Sequence, residues 1–136
     1  MKQSLQMIER AADGDTDPEV LNWVRESCLA YLGGTDLACA FGLGQHERKR
    51  EARRLLAELA KLLDDGRCSR WELAMRVEQK IKQFESRVWP RVQLGSVRPA
   101  APSDVLLCRL FRCRTQFPRE QRRIYDIAVK RSGPKE

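Results

Sequence analysis

Two apolar stripes at helical spacing, separated by a single Asp-Asp-Gly break, limit what this chain can fold into. In the first, Ala52, Leu56, Leu59 and Leu63 recur at intervals of 4, 3 and 4, widened by Leu55 and Leu62. In the second, Trp71, Ala74, Val77, Ile81, Phe84 and Val88 step 3, 3, 4, 3 and 4. Residues three and four apart share one face of an α-helix, so each run makes a helix with one side to bury. Asp64-Asp65-Gly66 ends the first. Ser69 and Glu72 open the second as a capping box, in which hydroxyl and carboxylate satisfy each other's exposed backbone donors. Two such helices joined by a tight turn predict a long antiparallel helical hairpin over 45–88.

The rest of the chain is also helical in pattern. Leu5, Ile8 and Ala12 line one side of a short helix that stops at Asp13-Gly14-Asp15. Asp17 caps the next, Pro18 fits its first turn because the missing N–H has no partner there, and Gly33-Gly34 end it. Within it Val20, Leu21, Val24, Cys28, Tyr31 and Leu32 form the expected core stripe. Thr35 or Asp36 caps a short helix that turns at glycine into the long one. After Trp89-Pro90, residues 89–102 carry three prolines and a glycine, and read as an irregular strap held by Val92, Leu94 and Val97. Ser103 caps a helix with Val105, Leu106, Leu107, Leu110 and Phe111. Pro118 opens a last one with Gln121, Ile124, Ile127 and Ala128 on one side, and 131–136 is a frayed tail. The expected fold is all-α, a single domain over 1–136 forming a compact bundle of about six or seven helices on the hairpin.

The balance of 42% hydrophobic and 33% charged residues suits a folded domain of 136 residues, large enough to bury a core without staples. Five cysteines at irregular spacing, with no C-x-x-C pair and one histidine to join them, read as free and mostly buried thiols in a reducing cytoplasm. No secretory leader pattern opens the chain and no apolar run approaches the roughly 18 residues of a membrane span. The expectation is a cytoplasmic protein with no membrane partner.

Charge is distributed unevenly. Residues 1–40 hold three basic and seven acidic side chains, net −4, whereas residues 41–136 hold twenty-three and twelve, net +11. A positive field of that size draws polyanions. Two clusters supply it. Arg48, Lys49, Arg50, Arg53 and Arg54 precede the leucine stripe, where the helix has little to bury and projects into water. Arg109, Arg112, Arg114, Arg119, Arg122 and Arg123 fall within fifteen residues against Glu120 alone. Arginine presents a planar fork of donors that matches phosphate. The alternative for both is a solvated face, with Glu47–Arg50 and Glu51–Arg54 as helix-stabilising pairs that lower the potential.

The segment Leu37-Ala38-x-Ala40-Phe41-Gly42-Leu43 also carries half of a helix-turn-helix pattern: a small residue four positions before a turn glycine, and an apolar residue after it. The positions that such a motif buries in its second helix are Arg48 and Glu51, which are charged. A tight helix–helix corner is the competing account. Support for catalysis is thin. His46 sits at a helix start, no Ser/His/Asp or Cys/His arrangement has an anchor, and Gly42-x-Gly44 lacks the G-K-[S/T] of a phosphate loop. The expectation is therefore no enzyme, no cofactor and no metal site, with Asp64-Asp65 serving a helix end.

The layout Asp17-Pro18-Glu19-Val20-Leu21-x-Trp23, then Asp36-Leu37-Ala38-x-Ala40-Phe41-Gly42-Leu43, then an arginine-rich helix, resembles small, mostly uncharacterised helical proteins encoded by bacteriophages and prophages. The likeness covers about two-thirds of the chain and transfers no functional residue. It implies an accessory role in the host cytoplasm. Taken with the charge, the expected function is a non-catalytic protein that binds DNA or RNA, or regulates a nucleic-acid process, through the eleven cationic residues named above. The alternative is a host-directed inhibitor acting by protein–protein contact on a defence or nucleic-acid-processing complex. A homodimer is compatible with either.

Overall fold

The computed structural model describes residues 2–129, with side chains from Ser4 onward. These residues form eight α-helices: α1 Lys2–Ala12, α2 Pro18–Leu32, α3 Leu37–Ala40, α4 Gln45–Leu63, α5 Arg70–Arg87, α6 Trp89–Gln93, α7 Pro102–Arg112 and α8 Gln121–Ile124. A single π turn, Tyr125–Val129, follows. No strand occurs among the described residues, and none of their helices is long and apolar enough to cross a membrane. The chain divides into two compact units, Met1–Glu51 and Ala52–Glu136, the boundary falling inside α4.

In the amino-terminal unit local chemistry sets the helix limits. Asp17 accepts from the Glu19 N–H at 2.9 Å, and Asp36 from the Cys39 N–H at 3.4 Å. Gly34, at φ +109°, ends α2. Arg10 at the end of α1 donates to Asp15 at 2.9 Å and to Glu19 at 3.4 Å, which ties α1 to the start of α2. Leu5 and Met7 are buried, whereas Ala12 is exposed. On α2 the buried pair is Val20 and Ser27, with Trp23 and Val24 half-buried; the Ser27 hydroxyl is satisfied by the Trp23 carbonyl at 2.9 Å. Trp23 meets Phe41 edge-on at 5.6 Å. Leu21, Cys28, Tyr31 and Leu32, expected in the core, are exposed. Periodicity identified a side of the helix, but the covered side lies a quarter-turn away.

In the carboxy-terminal unit α4 buries Ala52, Leu55, Leu56, Leu59 and Ala60. The corner that follows is built from carboxylates. Asp64 accepts from the Gly66 N–H at 2.9 Å, and Asp65 accepts from the N–H groups of Arg67 and Cys68 at 2.8 and 3.2 Å. Arg70 holds Asp64 and Arg76 holds Asp65, each at 2.9 Å, while Ser69 caps α5 by accepting from the Glu72 N–H at 3.1 Å. The backbone N–H of Arg67, and after it the Arg76 guanidinium, hold the Asp65 carboxyl well below the ordinary 3.8. A depressed pKa gives stability that is complete above the ordinary value and is lost as pH falls through the folded one. The urea midpoint is therefore expected to drop between pH 5 and pH 2, and Asp65→Asn to drop less over that window; parallel pH profiles would disprove the role.

α5 buries Leu73, Ala74, Val77, Ile81 and Phe84, close to the expected stripe, although Trp71 stays half in water. Its closest backbone neighbours are α8, the π turn and α6. Residues 119–125 run antiparallel to it. Arg119 pairs with Glu85, the Gln121 N–H donates to Glu78 at 2.9 Å, and Tyr125 meets the Trp71 ring edge-on at 5.6 Å. Glu78 thus satisfies the first free donor of α8, whose own preceding residue, Glu120, provides no side-chain cap. This is why the last helix begins at Gln121, not at Pro118.

The 89–102 segment is likewise not wholly irregular. α6 occupies Trp89–Gln93, with Pro90 tolerated in its first turn, and Gly95 at φ +75° closes it. Helix α7 begins at Pro102, and Ala101, not Ser103, precedes it. Phe84, Trp89, Phe111 and Phe117 form one aromatic cluster, with ring centroids 5.3–6.1 Å apart between contacting pairs. None of the five cysteines is in a disulfide; Cys108 and Cys113 are buried, Cys68 is half-buried, and Cys28 and Cys39 are exposed against expectation. The expected tail at 131–136 lies outside the described residues.

Candidate nucleic-acid interface

Division of the chain keeps the charge asymmetry. The amino-terminal unit has six basic and nine acidic residues, net −3, and the carboxy-terminal unit twenty and ten, net +10. The first cationic cluster straddles the boundary, on one continuous helix. Arg48, Lys49 and Arg50 belong to the amino-terminal unit, and Arg53 and Arg54 to the carboxy-terminal one. Lys49 and Arg53 are exposed and have no carboxylate partner among the described residues. Arg50 is exposed and donates to His46 Nε2 at 3.0 Å, so its nearest partner is the imidazole, not Glu47. Arg54 is paired with Glu58 one turn on. Arg48 is half-buried and Glu51 is only 4% exposed.

Burial of Arg48 and Glu51 occurs at the two positions a helix-turn-helix would take out of water. The helix before them, however, is one turn long, and Gly42 serves another purpose. Its φ is +72°, and a β-carbon there would collide with Ser4 Oγ of α1. Only glycine combines that backbone conformation with that approach. The segment is thus a close-packed corner, with Leu37–Ala40 too short to act as a crossing helix.

The second cluster lies wholly in the carboxy-terminal unit, and its six arginines do different things. Arg109 is half-buried on α7, and Arg112 is exposed at its end. Arg114 is exposed at φ +49°, the left-handed residue that ends α7, a place usually held by glycine or asparagine. Arg119 lies over two rings, 4.7 Å from the Phe117 centroid and 5.2 Å from that of Phe111, and its edge pairs with Glu85. Its guanidinium is thus engaged by the rings and the carboxylate although the residue is exposed. Arg122 and Arg123 are the exposed pair on α8, between the anchored Gln121 and the buried Ile124, with no carboxylate partner among the described residues.

Further cations of the same character escaped the sequence reading, Arg87 and Arg91 among them. Arg87 in the last turn of α5 and Arg91 in α6 are exposed, again with no carboxylate partner among the described residues. They stand singly, so a search for dense clusters passes over them.

Asp64, Asp65 and Cys68 bring three potential ligand atoms within 4.8 Å of one another. Both carboxylates are already engaged by the guanidiniums of Arg70 and Arg76 and by backbone N–H groups. That arrangement fastens a helix end. No protein-family model, curated protein or solved structure matches this chain. The described residues are all-helical.

Proposed function

We propose that this protein is a non-catalytic accessory or regulatory module whose basic carboxy-terminal unit binds nucleic acid through its phosphates. The observation that carries the reading is the pair Arg122 and Arg123, adjacent, exposed and without carboxylate partners among the described residues, in a unit of net charge +10. Arginine forks of this kind meet phosphate oxygens with two parallel hydrogen bonds. Arg87, Arg91, Arg112 and Arg114 add exposed cations to the same unit. Arg53 on α4 adds one more exposed cation to that unit, and Lys49 is an exposed cation of the amino-terminal unit. Contacts of this type position a protein on the backbone and read no bases, so the reading implies weak sequence preference. Its place of action is the cytoplasm, that of the host if the chain is phage-encoded.

A titration of labelled duplex DNA, single-stranded DNA and RNA at two salt concentrations tests this. Phosphate contacts release counterions, so log affinity should fall linearly with log salt, at about 0.9 per duplex phosphate contacted and about 0.7 per single-strand phosphate. Absence of binding at low salt ends the reading. Stoichiometric capture of one host protein, together with that absence, would favour the inhibitor alternative.

A further inference from the structure

We infer that the exposed face of α2 is a self-association surface that pairs with α2 of a second copy of this chain in antiparallel orientation. The face is apolar apart from Arg25, and the described residues leave it uncovered. Leu21 and Leu29 are each 54% exposed, Tyr31 50% and Leu32 77%, with the exposed Cys28 between them. Their free surface, on the order of 400–500 Å² per copy, is as large as the largest apolar patch of a typical monomer, which is often functional. Two copies together approach the roughly 1,000 Å² that a specific interface needs, before the polar margin is added.

The pattern points to a second copy as the occupant. Leu21, Arg25, Cys28 and Leu32 lie along one line of the helix at intervals of 4, 3 and 4. That series is the alternating spacing of a two-helix seam, and it reads the same from either end. A face with this symmetry is complementary to its own reverse. With the twofold axis between Glu26 and Ser27, Leu21 packs on Leu32 of the second copy and Arg25 on its Cys28. Leu29 and Tyr31 flank the seam on either side. Arg25 has no carboxylate partner among the described residues, and as the one charged group in the line it fixes the register, since a one-layer shift sets it either against Leu32 or against Arg25 of the second copy. Antiparallel pairing also places the positive end of each helix dipole beside the negative end of the other. α2 is 15 residues long, about 22 Å, enough for all four layers. Pairing uses the amino-terminal unit only, so it stands or falls apart from nucleic-acid binding.

Sedimentation of the full chain over 1–100 µM tests the inference. The expected result is a concentration-dependent rise from 15.7 kDa to twice that mass. Leu32→Asp should weaken the dimer about 100-fold while leaving the helical circular dichroism unchanged, because each dimer loses two buried leucines from a position the monomer leaves in water. Register is read by a short bismaleimide in a Cys28→Ser, Cys39→Ser, Cys68→Ser background. Leu21→Cys with Leu32→Cys together should cross-link two chains, whereas either alone should not. A chain that stays monomeric at 100 µM, a Leu32→Asp variant that sediments like the parent, or a cross-link formed by Leu21→Cys alone would each overturn the inference.

Discussion

Truncation of Phe84 to alanine is expected to destabilise the protein by about 3–5 kcal/mol, the largest loss from any single side chain in the carboxy-terminal unit. Phe84 is fully buried in α5. Its ring stands 5.3 Å from Phe111 of α7 and 6.1 Å from Trp89 of α6, so one side chain joins three helices. Its removal forfeits apolar transfer, aromatic contacts and close packing at once, and the flanking rings are too rigid to refill the space. Total stability of a domain this size is about 5–15 kcal/mol, so a large fraction is lost. Urea titration followed by circular dichroism at 222 nm measures it. A loss below about 1 kcal/mol would mean that the cluster is loosely packed and the stripe on α5 is not the organising seam.

Reversal of the α8 pair, Arg122→Glu with Arg123→Glu, is expected to weaken nucleic-acid binding at low salt by at least about 100-fold and to flatten the salt dependence by about two units of slope. The double change lowers the charge of the unit by four where both side chains are exposed, so folding should be unaffected. Arg122→Lys with Arg123→Lys keeps the charge but not the fork, and should retain most of the affinity with the full slope. Lys49→Glu with Arg53→Glu, on α4, is the comparison that apportions binding between the clusters. If the α8 reversal leaves both affinity and slope unchanged, the proposed surface is elsewhere or does not exist.

Much of the local structure was legible because it depends on neighbours in sequence. Asp17, Asp36 and Ser69 cap the helices that follow them, each accepting a backbone N–H two or three residues on. Four of the five buried residues of α5, Ala74, Val77, Ile81 and Phe84, repeat at 3 and 4, as its apolar pattern requires. What could not be read was whatever depends on residues far along the chain. The hairpin expectation gave α5 its neighbour in sequence, α4, as partner. The backbone segment closest to α5 is 119–125, anchored by a carboxylate 43 residues away, and no local pattern announces it. Pro90 looked like an end and is the first turn of α6.

The α2 stripe failed for a different reason. Val20, Trp23, Val24 and Ser27 face inward, whereas Leu21, Cys28 and Leu32 do not, and a helix apolar on two sides gives no hint of which is covered. In the basic clusters the sequence shows charge but not its use. Arg119 and Arg122 look alike in a string of letters, yet one lies over two rings and pairs with Glu85 while the other faces water.

The placement of the indoles has a practical bearing. Trp23 touches Phe41 within the acidic half, whereas Trp71 and Trp89 touch Tyr125 and the phenylalanine cluster within the basic half. Each half therefore contains its own native fluorophore. Single-tryptophan versions of the chain can show, from emission alone, whether the halves melt together as one cooperative block or one after the other.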